Sequence, residues 1–393
     1  MASVYFDHNS TTALDARVLE VMLPFVTMQH GNATSRHVYG RMVRDAVEQA
    51  REQVANAVGA YASQIVFTAG GTEANNFAIS GIAGNLPDTQ IAVSSIEHPC
   101  ITRPTFAMQK QGHKTKIIAV DHDGKLDLIH LQSILKSDAA SPTSLVSVMM
   151  VNNETGVIQD IREIAEMAKR HKAYMHTDAV QALGKIPVNF AELNTDLNNC
   201  AMTISSHKIY GPQGAGALIV DKRLDMVPLL HGGGQEKGLR SGTENVAAIV
   251  GFGAACELAV SELTARTKHT LALRTRLETG LAELSSEMNV AIFGDNVARI
   301  SNTSFFAFPN IEGETLVMAL DRKGFAVASG SACSSDSTEP SHVLLAMGVE
   351  PDLARGAIRV SFGVQNMIDQ VDQFLVTLKQ ELQRLKQLTA IAA

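Results

Sequence analysis

The chain has 393 residues, 45% of them hydrophobic, which is enough for a large core and more than one domain. Its 33 Lys and Arg against 40 Asp and Glu leave a net charge of −7, a poor electrostatic match for nucleic acid or an anionic membrane, so neither is expected as a partner. The four cysteines, Cys100, Cys200, Cys256 and Cys333, form no C-x-x-C pair, so neither a metal site nor a disulfide framework is expected.

The opening MASVYFDHNS has no charged stretch followed by an apolar one, so no signal peptide is expected there. Residues 42–58 carry helical spacing, with Val43, Ala46, Val47, Ala50 and Val54 on one face. IVFT (65–68) reads as a strand, 72–82 as a helix, and IAVSS (91–95) as a strand. SLVSVMMVN (144–152) is nearly all apolar, as suits a strand covered on both faces. A helix over 161–171 follows, then strands at 173–178, 201–205 and 215–220. Strands alternating with helices predict an α/β domain around a mainly parallel sheet. Beyond Thr243 the pattern changes to a long helix over 244–287, strands near 299–308 and 357–362, and helices at 314–323 and the C-terminal end. The longest apolar run, 246–256, lies between Glu244 and Glu257 and is too short to span a bilayer, so a cytoplasmic protein is expected. The expected division is an N-terminal segment 1–15 packing with a small domain, a large domain over 16–258, and a small α+β domain over 259–393.

Several residues in this layout suit chemistry. Gly70-Gly71-Thr72-Glu73 follows a strand and opens a helix, where backbone N–H groups and a hydroxyl can meet a phosphate; a plain turn capped by Thr72 is the alternative. The G-x-G-x-x-G of a dinucleotide site is absent, which disfavours a nicotinamide dehydrogenase. Asp178 ends a predicted strand, where open α/β sheets bind ligands, and can pair with a protonated ring nitrogen or cap a helix. Lys208 lies between a strand and the Gly-rich stretch 211–216, a setting that can desolvate an amine and make it a Schiff-base former. Cys333, in SGSACSS, has small neighbours and no apolar ones, which marks a reactive thiol; the other three cysteines read as structural. Arg359 on a strand suits bidentate capture of a carboxylate. His98 follows a strand end and can stack on a ring or move a proton.

Taken together, YFDHNSTT, GNATSRHVYG, FTAGGTEANN, SSIEHP, MVNNETG, HTDAVQALGK, SSHKIYGPQGAGAL, HGGGQEKGLRSGTEN, ASGSACSS and IRVSFG resemble, in order from residue 4 to about 363, the cysteine desulfurases of the class V aminotransferase group of pyridoxal-phosphate (PLP) enzymes. SGSAC followed by EPSH resembles the group serving iron–sulfur assembly and nitrogenase maturation. The resemblance implies the fold type I architecture, with a central mainly parallel seven-stranded sheet, and a homodimer. It implies that Lys208 holds the cofactor aldehyde, Asp178 pairs with the ring nitrogen, Gln181 bonds the ring hydroxyl oxygen and His98 stacks on the ring. Gly71, Thr72, Ser205 and His207 would hold the phosphate, and Thr243 would reach the phosphate of the neighbouring subunit. Asn153 and Arg359 would bind the carboxylate of L-cysteine, and Cys333 would take its sulfur as a persulfide for an iron–sulfur scaffold or another acceptor. Selenocysteine lyase or aminotransferase activity on the same scaffold, and a non-catalytic assembly scaffold, are the alternatives. Departures are Ala33 where the family has Pro, Ser206 where it often has Gly, and a few extra residues over 193–202.

Overall fold

The computed structural model describes residues 3–136, 141–194, 199–330 and 339–392. Its strands are β1 (Val4–Tyr5), β2 (Ile65–Thr68), β3 (Gln90–Ser94), β4 (Lys114–Ile118), β5 (Thr143–Ser147), β6 (Tyr174–Asp178), β7 (Cys200–Ser205), β8 (Gly216–Val220), β9 (Ala291–Ile292), β10 (Thr303–Ala307), β11 (Phe325–Ala326), β12 (Ala328–Ser329) and β13 (Ala357–Ser361). The helices are α1 (Ala16–Thr27), α2 (Val38–Ala57), α3 (Gly71–Ala83), α4 (Pro99–Gln109), α5 (Leu128–Lys136), α6 (Ile161–Arg170), α7 (Phe190–Asn194), α8 (Val246–Ser261), α9 (Leu263–Met288), α10 (Gly313–Arg322), α11 (His342–Ala346), α12 (Pro351–Arg355) and α13 (Ile368–Ala392).

Among the described residues the larger sheet has seven strands in the order β2-β8-β7-β6-β5-β3-β4. It is parallel except for β8, which runs antiparallel to both β7 and β2. Apolar side chains cover both of its faces. Ala74, Phe77 and Ile82 of α3 and Ile101 and Met108 of α4 pack on Ile91, Val93 and Leu145. Val47 and Val54 of α2, Ile164 and Ala168 of α6, and Phe252 of α8 pack on the opposite face. A sheet buried on both sides explains the run of apolar residues in its central strands. The β4 strand, KTKII, escapes that pattern because it is an edge, and lysines at 114 and 116 face solvent as edge strands tend to require.

A second sheet, β12-β13-β10-β9, packs against α9, α10 and α13. Phe6 joins this core from the N-terminus, edge-on to Phe362 and Phe374 at 5.1 and 5.7 Å between ring centroids. The preceding β1 pairs in parallel with β11, and Asp7 bridges to Ser361.

Two sequence expectations are corrected. The strand expected over 144–152 leaves the ladder at Ser147, although Val148 and Met150 still donate to His176 O and Asp178 O. Asn152 then turns the chain, its Oδ1 accepting the N–H groups of Glu154 and Thr155 at 2.9 Å each. The long helix expected over 244–287 is two helices, α8 and α9, bent by 71° at Glu262, whose carboxylate takes Arg17 and Arg266. Among the described residues no single helix is long and apolar enough to cross a membrane.

Candidate active site

The parallel strands deliver their following loops to one end of the sheet. There a cavity of about 1330 Å³ opens, lined by residues from Asn9 to Arg359. Gly71, Thr72, His98, Asn153, Asp178, Gln181, Ser205, His207, Lys208 and Arg359 all line it. Thr243 does not line it in the single chain and is exposed. Cys333 lies outside the described residues; Ser329 and Gly330, just before it, line the cavity.

Helix α3 points its first turn at the cavity, so the N–H groups of Gly71, Thr72 and Glu73 lack intrahelical acceptors and carry the positive end of the helix dipole. Gly70 makes this turn possible. Its φ of +150° is one that side-chain-bearing residues rarely adopt, and β8 passes so close that a Cβ on Gly216 would stand 2.7 Å from the Gly70 backbone. Ser205, at the end of β7, is buried and lines the cavity, and its Oγ has no partner among the described residues. These groups form an anion cradle.

Asp178 ends β6 and is 5% exposed. Its Oδ2 accepts from Asn75 Nδ2 at 2.7 Å, and its Oδ1 from Val180 N–H at 2.9 Å. Burial raises its pKa, and these bonds and the Lys208 charge oppose that shift. A buried carboxylate of this kind is complementary to a cation, such as a protonated ring nitrogen. His98 caps α4 at the cavity wall, and burial, aided by Lys208, His342, Arg103 and Arg359, lowers its pKa to about 4. Lys208 follows β7 in the short turn Ser206–Lys208, and its Nζ donates to Asn9 O at 2.7 Å and to Ser10 O. Gln181 Nε2 donates to Asn9 O at 2.8 Å, and Gln181 Oε1 accepts from the half-buried Lys185, whose pKa desolvation pushes well below the usual lysine range. Arg359 Nη2 pairs with Asp7 Oδ1 at 2.7 Å and Nη1 donates to Asn153 O at 2.9 Å. Arg359 Nε is buried without a partner among the described residues.

The sequence reading missed several neighbours. Asn9 and Ser10 reach the cavity because β1 and the Asp7–Ser361 bridge carry the N-terminal segment there. Asn75 and Glu154 also line it. Cys100, read as structural, instead lines the cavity with Sγ 2.9 Å from His98 Nδ1. Ser341 Oγ donates to Glu154 Oε2, and His342 Nε2 contacts Glu97 O at 3.0 Å, which ties residues beyond the Cys333 segment to the cavity wall. The loop carrying Thr243 is tied down by Arg240–Glu73 at 2.6 Å and by the buried Arg51–Glu236 pair at 2.7 Å.

Behind the site His176 lies wholly buried between Ser147 Oγ at 2.9 Å and Thr203 Oγ1 at 3.0 Å, and burial lowers its pKa to about 3. An unfolded histidine titrates near ~6.5. Between about pH 6.5 and 3 the unfolded chain therefore binds the extra proton, so the stability His176 contributes is full above that window and is lost as pH falls through it. The stability difference between the wild type and His176→Gln should shrink by roughly 1 kcal/mol per pH unit across it, because glutamine does not titrate. Urea unfolding at stepped pH measures this; a constant difference would contradict it.

A mainly parallel sheet whose loops place a lysine, a buried aspartate and a helix N-terminus around one cavity defines a PLP-dependent enzyme of fold type I. The chain belongs to the class-V aminotransferase family, whose model matches residues 4–374. It is 41% identical over 385 residues to a protein of Dictyoglomus turgidum named Cysteine desulfurase IscS, covering 98% of this chain and 95% of the relative. It is 42% identical over 387 residues to Cysteine desulfurase 2 of Trichormus variabilis, covering 98% and 94%. Among solved structures, a NifS-like protein superposes with a TM-score of 0.88 at 37% identity, covering 97% of this chain and 99% of that one. A structure titled "SspA in complex with cysteine" has a TM-score of 0.79 at 31% identity, covering 92% and 99%.

Proposed function

We propose that the chain is a cysteine desulfurase that converts L-cysteine to L-alanine and carries the sulfur away as a persulfide on Cys333. The observation that carries this reading is the convergence of Lys208, Asp178, His98 and Arg359 on one cavity that Ser329 and Gly330, the latter three residues before the thiol, also line. Three residues of extended chain span at most about 11 Å, so Cys333 is tethered within reach of that cavity.

The donor set fits PLP. The α3 first turn with Gly71 and Thr72, the unpartnered Ser205 Oγ and His207 would hold the phosphate, Asp178 the ring nitrogen, Gln181 the ring hydroxyl oxygen, and Lys208 the aldehyde. When bound, the cofactor supplies an electron-accepting ring beside the α-carbon of the amino acid. The chain's own groups do the rest. Arg359 and Asn153 orient the substrate carboxylate, with Asp7 holding the guanidinium in place. Lys208 Nζ, positioned by the carbonyls of Asn9 and Ser10, would take the α-proton. His98, neutral at working pH, would stack on the ring and exchange protons with the substrate thiol. Cys333 Sγ, as thiolate, attacks the substrate sulfur. An S–S bond forms, the C–S bond breaks with its electron pair left on the substrate β-carbon, and protonation there, with the α-proton returned from Lys208, gives alanine.

The test is the product balance. With a reductant present, cysteine should yield alanine and sulfide in equal amounts; without one, Cys333 should gain the mass of one sulfur atom. Pyruvate with sulfide and ammonia, or a mercapto-keto acid, would instead establish elimination or aminotransfer.

The homodimer belongs to the same reading. Val26 and Met28 near the end of α1 and Val38 and Tyr39 at the start of α2 are exposed, Val26 at 67% and Met28 at 72%, and are the proposed contact with a second copy. In the dimer that the family resemblance implies, the exposed Thr243 would reach its neighbour's phosphate. Sedimentation of Val26→Asp/Met28→Asp should show monomer where the wild type shows dimer; an unchanged dimer would move the interface elsewhere. An iron–sulfur scaffold is the proposed acceptor and the cytoplasm the proposed location.

A further inference from the structure

We infer that Cys100 is a positioning residue: its thiol joins the buried amide of Asn75 to His98 and holds that ring in the tautomer carrying its proton on Nε2. The basis is a run of hydrogen bonds along the cavity wall. Asn75 Nδ2 has two hydrogens and two acceptors, Asp178 Oδ2 at 2.7 Å and Cys100 Sγ at 3.0 Å. The same sulfur stands 2.9 Å from His98 Nδ1. Nδ1 also receives the Cys100 backbone N–H at 3.2 Å, and an amide nitrogen can only donate. Nδ1 is therefore an acceptor, the thiol hydrogen turns toward it, and the single proton of the neutral ring resides on Nε2.

The protonation states agree with that geometry. Burial, with the Asp178 charge adding to it, pushes the Cys100 thiol well above its usual range, so it keeps the hydrogen it donates. An imidazolium would place a second donor against the sulfur, and the network thus favours neutral His98. Asn75 also points to a ligand. It is 0% exposed, it lines the cavity, and its Oδ1 has no partner among the described residues. A wall that ended in plain packing would not leave such an oxygen unpaired. The inference rests on the proposed reading that Asp178 and His98 face the bound cofactor, and it adds that α3 and α4 hold those two groups in a fixed relation through one thiol.

A side chain that merely fills space behaves differently from one that donates and accepts. Cys100→Ser keeps both functions and Cys100→Ala keeps neither. The experiment uses the full chain, with and without PLP, for the wild type, both variants and His98→Ala. In [15N]histidine-labelled protein without PLP, the His98 signals are assigned by their loss in His98→Ala. Wild type and Cys100→Ser should show an unprotonated Nδ1 and a protonated Nε2, and Cys100→Ala should shift toward mixed tautomers. With PLP, kcat should fall roughly 5- to 10-fold in Cys100→Ala, with KM within about 2-fold, and largely recover in Cys100→Ser. A wild-type spectrum showing protonated Nδ1 overturns the inference without need of any Cys100 variant. So does a Cys100→Ala protein with wild-type spectrum and kcat, or a Cys100→Ser protein as impaired as the alanine form. If His98→Ala keeps full activity, the reading of the site itself is at fault, and the tautomer spectra still decide the role of Cys100.

Discussion

Lys208→Ala is expected to lower kcat for cysteine by about 10³ to 10⁴ or more and to strip the yellow cofactor absorbance from the purified protein. In the proposed mechanism one nitrogen performs two tasks, holding the cofactor aldehyde and taking the α-proton, so one substitution removes both. Lys208 is the lysine that lines the cavity among the described residues. The nearest substitute, Lys185, is engaged with Gln181 Oε1. Asn9 O and Ser10 O fix where the Lys208 amine stands, and no water-borne amine meets that geometry at comparable effective concentration. Lys208→Arg keeps the charge but not the nucleophile, and should fail as badly. Absorbance spectra and single-turnover alanine formation measure both effects. Activity within about tenfold of the wild type would remove Lys208 from the mechanism.

Cys333→Ala is expected to cut sulfide release by about 10³ while leaving the cysteine-induced absorbance change in place. The two halves of the reaction use different groups. In the proposed mechanism substrate binding and α-proton removal depend on Arg359, His98 and Lys208, whereas sulfur leaves only when a thiolate accepts it. Cys100 lines the cavity yet cannot replace Cys333, because burial keeps it a protonated thiol bonded to His98 Nδ1. Stopped-flow spectra paired with sulfide assay separate the halves. A variant releasing sulfide at the wild-type rate would turn the reading toward elimination.

Where one strand of sequence held both a residue and its setting, the site was legible. Asp178 closes the strand YMHTD, Gly70-Gly71-Thr72 follows IVFT, and Lys208 stands between CAMTIS and a glycine loop; each lies within a few residues of the signal that marks it. The neighbours that tune those residues gave no such signal. Asn75 looks like any helical polar residue until α3 sets it against Asp178. Cys100 reads as structural until α4 turns it beside His98. The overrun of the strand at 144–152 has a similar cause, since an apolar run shows burial but not where its hydrogen bonds pass from a ladder to a turn.

By itself the sequence determined the α/β class, the family, and the chain order of the candidate phosphate, ring-nitrogen and aldehyde partners, because periodicity and motif order are local and one-dimensional. Only the tertiary structure decided that the carbonyls of Asn9 and Ser10 grip Lys208, that Asp7 restrains Arg359, and that a thiol links the walls beneath Asp178 and His98. Those contacts join residues from about 25 to more than 350 positions apart, and only the packing of two sheets and their helices brings such groups within hydrogen-bonding distance.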